Sequence, residues 1–126
     1  MRLHLSNKNP TPYYLQIFEQ VRQLILTGEL SPGEALPSIR QLAQELFTSV
    51  ITVKRAYQEL EAVGLITTRP GLGTFVAEWD EEGRRSLALG AAREALSRAV
   101  REAKRLGLSP EEILRLVESL LTEEEV

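Results

Sequence analysis

Residues 36–76 constrain the fold of this chain more than any other stretch. They read LPSIRQLAQEL, then TSVITVKRAYQELEAVGLI, then TTRPGLGTFV. Pro37 ends a short extended run, and Ser38 with Gln41 three residues later fits a capping box that opens a helix. Ile39, Leu42, Ala43 and Leu46 recur at helical spacing and give that helix one buried stripe. Thr48 or Ser49 can cap a second helix, whose apolar phase is Val53, Ala56, Tyr57 and Leu60 and whose stop is Gly64. Leu65–Thr68 and Thr74–Val76 are β-prone and flank Arg69-Pro70-Gly71-Leu72-Gly73, the pattern of a hairpin loop. Helix, turn, helix and hairpin in that order predict a winged helix-turn-helix, a module that lays its second helix in the major groove of DNA.

The flanking sequence adds three more helices. The first is expected to start at Thr11 as N-cap with Pro12 at the first helical position. Tyr14, Ile17, Phe18, Val21, Leu24 and Ile25 form its stripe, and Gly28 suits a left-handed C-terminal cap. Leu30-Ser31-Pro32-Gly33 reads as a turn. Residues 78–85 are mostly charged and are expected to be a linker. Beyond them, Leu89, Ala92, Leu96, Ala99, Ala103 and Leu106 mark one helix, stopped by Gly107. Ser109 as N-cap, Pro110 at the first position and Glu112 closing a capping box start another, with Leu108 and Ile113 placed for a hydrophobic staple. Ile113, Leu114, Val117, Leu120 and Leu121 give it an apolar face.

Two helices cannot enclose a core, so both stripes must be covered. Packing on the first domain is one option, and pairing with the same hairpin from a second chain, which gives a closed two-fold dimer, is the other and the favoured one. The expected architecture is therefore mainly α with a small β-wing. A winged helix-turn-helix occupies residues 1–77, a linker 78–85 and a helical dimerisation hairpin 86–126.

Composition removes several function classes. The chain of 126 residues has no cysteine, which excludes disulfides, zinc–thiolate sites and thiol catalysis. Its one histidine, His4, sits near an N-terminus expected to be mobile, so no histidine-based metal or acid–base site is expected. No apolar run approaches the roughly 20 residues that span a bilayer. The N-terminus lacks the layout of a signal peptide. A cytoplasmic protein without membrane contact, metal, cofactor or catalytic residues is the reading that follows. Glu111-Glu112 and Glu123-Glu124-Glu125 read as helix-start and tail charges.

Net charge is −3, yet residues 1–77 carry seven basic side chains against six acidic ones, and the acidic excess lies beyond them. Nucleic-acid binding needs a local basic face rather than a basic total. On the third helix the core phase turns Thr48, Ile51, Arg55 and Gln58 outward, with Thr52 and Lys54 on the flanks. Hydroxyls near the helix start can bond phosphates or base edges, and Lys54 and Arg55 can reach phosphates or guanine. Arg40 lies in the first turn of the second helix, where a cation opposes the helix dipole. A phosphate there would explain it, and a surface ion pair with Glu45 is the alternative. The wing offers Arg69, Gly71, Leu72 and Gly73, its glycines allowing close backbone approach to a groove.

From Pro12 to Val76 the chain resembles the DNA-binding domain of the GntR family of bacterial transcription regulators. The resemblance is carried by PYYLQIFEQVRQLILTGELSPGEALPSIRQLA, TVKRAYQELEAVGLI and GLGTFV. It implies a dimer on a two-fold symmetric operator, usually as a repressor, with release or rearrangement on binding a small-molecule effector. It also implies that Arg40 is a phosphate- or base-contacting arginine. Ser49, Thr52 and Lys54 then contact DNA at the start of the recognition helix, and Gly71 enters the minor groove. Two positions depart: many members have arginine in place of Val50 and a basic or polar residue in place of Leu72. Val50 removes a bidentate guanine reader, so operator preference does not transfer. SVITVKRAY with a short helical C-terminus is similar to the YtrA subfamily, in which the hairpin mainly dimerises and target operons often encode transporters.

A winged helix used for protein–protein contact is the rival reading, and net acidity with apolar Val50 and Leu72 would suit it. Steep salt dependence of duplex binding separates the two. An effector, in either case, needs walls from the partner chain or the winged-helix domain, because two helices provide two walls at most.

Overall fold

The computed structural model describes residues 1–124, which leaves Glu125 of the acidic tail outside the described residues. The elements are α1 (Tyr13–Leu26), α2 (Ile39–Leu46), α3 (Val50–Ala62), β1 (Ile66–Arg69), β2 (Gly73–Val76), α4 (Glu81–Arg105) and α5 (Pro110–Glu124). They divide into two compact units, Met1–Arg84 and Arg85–Val126, with the boundary inside α4.

In the first unit α3 is the central element and packs against α1, α2 and β1. Ile17 and Val21 of α1, Leu42 of α2, Val53 and Leu60 of α3, and Leu65, Ile66 and Val76 are almost wholly removed from water. Each such aliphatic side chain contributes roughly 1.5–3 kcal/mol through burial. The capping box opens α2 as the sequence predicts: Gln41 N–H donates to Ser38 Oγ at 3.1 Å and Ser38 N–H to Gln41 Oε1 at 2.9 Å. Gly28 and Gly64 follow the ends of α1 and α3 with φ of 85° and 80°, conformations that favour glycine.

The hairpin is antiparallel with Ile66 opposite Val76 and Arg69 opposite Gly73. Arg69 and Gly73, expected in the loop, therefore close the ladder, and the loop is only Pro70-Gly71-Leu72. The turn before α2 pairs with the outer edge of β2: Gly33 N–H donates to Val76 O, Val76 N–H to Glu34 O and Leu36 N–H to Thr74 O, all within 2.9 Å. The wing is thereby tied to the entry of α2.

Three further expectations are corrected. Helix α1 begins at Tyr13, and Pro12 rather than Thr11 takes the N-cap position, with no side-chain cap. The Thr11 carbonyl instead accepts from Gln16 Nε2 at 2.8 Å. The N-terminal segment, expected to be mobile, is held on α1 by two glutamine amides. Gln16 exchanges hydrogen bonds with the Ser6 backbone and Gln20 with the His4 backbone. Gln16 is itself buried, and these partners satisfy its amide. The expected linker 78–85 is helical from Glu81 onward. Asp80 accepts the Gly83 N–H at 2.8 Å, and Glu81 and Glu82 stand in the first turn, where the dipole favours them. Arg84 donates to the Leu26 carbonyl at the end of α1, and Trp79 Nε1 donates to the Gly64 carbonyl after α3.

In the second unit Gly107 ends α4 with φ of 92°. Ser109 and Glu112 form the predicted capping box, with bonds of 2.9 and 3.2 Å. The Ser109 backbone N–H, and then its hydroxyl, hold the Glu112 carboxyl below the ordinary glutamate range. Ile113 is buried, but Leu89, Leu96, Leu106, Leu114, Leu120 and Leu121 are exposed. The two helices do not pack along each other's length, so within one chain the expected hairpin is open.

Candidate nucleic-acid interface

The first turn of α2, the first turn of α3 and the wing tip meet at one surface. Arg40, Val50, Lys54, Leu72 and Gly73, with Ser38 and Gln41, line an open groove of ≈ 580 Å³. Arg40 and Lys54 are both exposed, and neither has a hydrogen-bond or ion-pair partner among the described residues. The alternative pairing of Arg40 with Glu45 is not formed. No acidic side chain occurs between Leu46 and Gln58. Two uncompensated cations thus face one concavity, a layout suited to an anion of extended shape.

Ser49 caps α3: its Oγ accepts the Thr52 N–H at 3.1 Å and lies 2.7 Å from Thr52 Oγ1. Of the two expected caps, Ser49 takes the role and Thr48 lies one residue before it, half-buried. Ile51, Arg55 and Gln58 project from α3 into solvent, outside the groove lining, and Thr52 is half-buried. The Arg55 guanidinium is stacked 3.8 Å from the Tyr14 ring centroid on α1 and does not line the groove of Arg40 and Lys54. Arg69 lies over the Phe75 ring at 5.1 Å. Gly71 holds φ of 77° at the wing tip, where glycine is required for the turn.

Tyr57, expected only in the core phase of α3, also shapes this surface. The Tyr57 hydroxyl donates to the Pro37 carbonyl at 2.7 Å and so fixes the entry of α2 against α3. Burial, and then the Glu45 carboxylate, push its pKa far up, so the phenol stays a donor. A tyrosine in an apolar phase needs a partner for its hydroxyl, and that was the available signal. Phe47, between α2 and α3, has φ of 53° and is 96% exposed.

The profile of the bacterial regulatory proteins of the gntR family matches residues 13–76. The chain is 41% identical over 103 residues to the HTH-type transcriptional regulator YhcF of Bacillus subtilis, covering 82% of this chain and 84% of that one. It is 41% identical over 76 residues to the HTH-type transcriptional repressor YtrA of the same organism, covering 60% and 58% of the two chains. Among solved structures, a GntR family transcriptional regulator from Listeria monocytogenes superposes with a TM-score of 0.74 at 32% identity, covering 88% of this chain and 96% of that one. AraR(DBD) in complex with an operator superposes with a TM-score of 0.52 at 30% identity, covering 61% and 94%. The chain belongs to the gntR family of bacterial regulatory proteins and is a helix-turn-helix transcriptional regulator, not an enzyme.

Proposed function

We propose that this regulator is a cytoplasmic repressor that binds a two-fold symmetric DNA operator as a homodimer. The observation that carries the reading is the groove in which Arg40, Lys54 and the wing tip converge with no carboxylate to neutralise them. The known operator complex of the similar AraR(DBD) supports it. In this reading residues 1–77 bind DNA, 78–85 connect, and 86–126 dimerise. Arg40 and Lys54 supply most of the affinity through phosphates. Thr48, Ser49 and Thr52 bond backbone or base edges at the helix start, Gln58 reaches an adenine edge, and Arg55 meets the flanking phosphates from its place on Tyr14. Arg69, Gly71, Leu72 and Gly73 carry the wing into the minor groove.

The dimer rests on α4 and α5. Leu89, Ala92, Leu96 and Val100 line an open groove of ≈ 670 Å³ whose lining comes from α4 alone. A partner helix would supply the missing wall and bury the leucines of both chains. In this reading any small-molecule effector sits where the partner chain completes the cavity. Such a ligand would act by binding two arrangements of the DNA-binding heads unequally.

The test is selection of bound sequences from random duplex DNA, followed by titration of the selected duplex with Arg40→Ala and Lys54→Ala. Each variant should weaken operator binding about a hundredfold, since one charge-assisted contact is lost from each protomer of the dimer. Thermal stability should stay within about 0.5 kcal/mol of wild type, because both side chains are exposed. Unchanged binding in both variants overturns the assignment.

A further inference from the structure

The first turn of α3 presents two branched apolar side chains to solvent. Val50 is 46% and Ile51 79% exposed. Neither serves the core, which Val53, Ala56, Tyr57 and Leu60 already supply from this helix. Nor are they there for helix propensity, since β-branched residues are indifferent helix formers. Val50 lines the same groove as the cations Lys54 and Arg40, and Ile51 follows it in the same helical turn. In helix-turn-helix docking, the N-terminal residues of the second helix are the ones that meet base edges. An isoleucine pressed against hydrogen-bonding edges would strip them of water and return nothing. The major groove has one apolar group to offer instead, the 5-methyl of thymine.

We propose that Ile51, assisted by Val50, is a specificity-determining residue that reads thymine 5-methyl groups, so that each operator half-site requires A·T pairs opposite the start of α3. The inference rests on the DNA-binding reading above and deepens it. Labour is divided along one helix: Lys54, with Arg40 from α2, holds the phosphate backbone whatever the sequence, and Ile51 discriminates among sequences. Losing one buried methyl contact should weaken binding about threefold to fourfold. Ile51 is exposed and outside the core, so its truncation leaves the fold in place.

The experiment compares sequence selection by the full wild-type chain and by Ile51→Ala, then titrates both with the wild-type operator carrying deoxyuridine for thymine. Uracil pairs as thymine does and lacks only the methyl. The base position whose preference is lost in Ile51→Ala should be a thymine. Deoxyuridine at that position should cost the wild type about threefold to fourfold in affinity and cost Ile51→Ala nothing. The inference is overturned if Ile51→Ala changes no preference, if the affected position is a G·C pair, or if deoxyuridine leaves wild-type affinity unchanged. A wild-type chain that enriches no duplex at all overturns the DNA-binding reading itself, and this inference with it.

Discussion

The two units of this chain use their apolar residues in opposite ways. In Met1–Arg84 the stripes of α1, α2 and α3 converge, and Ile17, Val21, Val53 and Leu60 have no contact with water. In Arg85–Val126 the stripes are as regular in sequence, yet Leu89, Leu96, Leu114, Leu120 and Leu121 remain in solvent. A helical period specifies that a face must be covered, not what covers it. Three helices and a hairpin cover one another, whereas two helices that do not lie along each other cannot. The first unit is complete within one chain, and the second has a surface suited to another copy.

The sharpest way to break that contrast is to charge the exposed stripe. Leu96→Asp with Leu120→Asp should turn a dimer into a monomer in sedimentation at micromolar concentration. Operator affinity should fall by about a hundredfold to ten-thousandfold as the two heads are unlinked, and the near-ultraviolet signal of the first unit should persist. A wild-type chain that sediments as a monomer removes the premise. Next in size is Leu60→Ala, which opens a cavity in the closed core and should cost about 2–5 kcal/mol in urea unfolding. The same truncation at exposed Leu114 should leave the stability of the first unit unchanged.

Phe47→Gly sharpens the contrast from the other direction. A non-glycine residue in the left-handed region costs about 1–2 kcal/mol, and glycine returns part of this through its freer unfolded chain. Phe47 buries nothing, so the substitution should raise the stability of the first unit by about 0.5–1 kcal/mol. An unchanged or lowered urea midpoint would show that Phe47 has a contact that compensates its conformation. The smallest effect concerns the second unit. Because Ser109 lowers the Glu112 pKa, ionised Glu112 supports the start of α5 at pH above the ordinary 4.5, and that support fades as pH falls through the lower folded value. A carboxyl titration by NMR should place Glu112 below 4.5 in wild type and return it to the ordinary range in Ser109→Ala.

Local rules were legible in the sequence where local chemistry decides. The capping boxes at Ser38 and Ser109, the glycines after α1, α3 and α4, and the core phase of α3 all stand where side-chain spacing places them. What could not be read depends on partners distant in sequence. Thr11 loses the cap role because its carbonyl is taken by Gln16, and His4 is fixed by Gln20, sixteen residues away. Charged residues 81–85 look like a linker by composition, but Asp80 caps them into a helix and Arg84 finds the end of α1. At the candidate interface, a first-turn cation set against the helix dipole points to Arg40, helical phase to Lys54 and the hairpin pattern to Leu72 and Gly73, and all four share one groove. Arg55 was named by the same phase, but its stacking on Tyr14 belongs to tertiary packing that no periodicity carries.

The most direct test of the central claim is the salt dependence of binding to a selected operator duplex. The logarithm of the association constant should fall linearly with the logarithm of salt concentration, at about 0.9 per phosphate neutralised, and Lys54→Ala should flatten the slope by about two, roughly one for each protomer. A slope near zero for the wild type, or one that Arg40→Ala and Lys54→Ala both leave unchanged, would contradict the account.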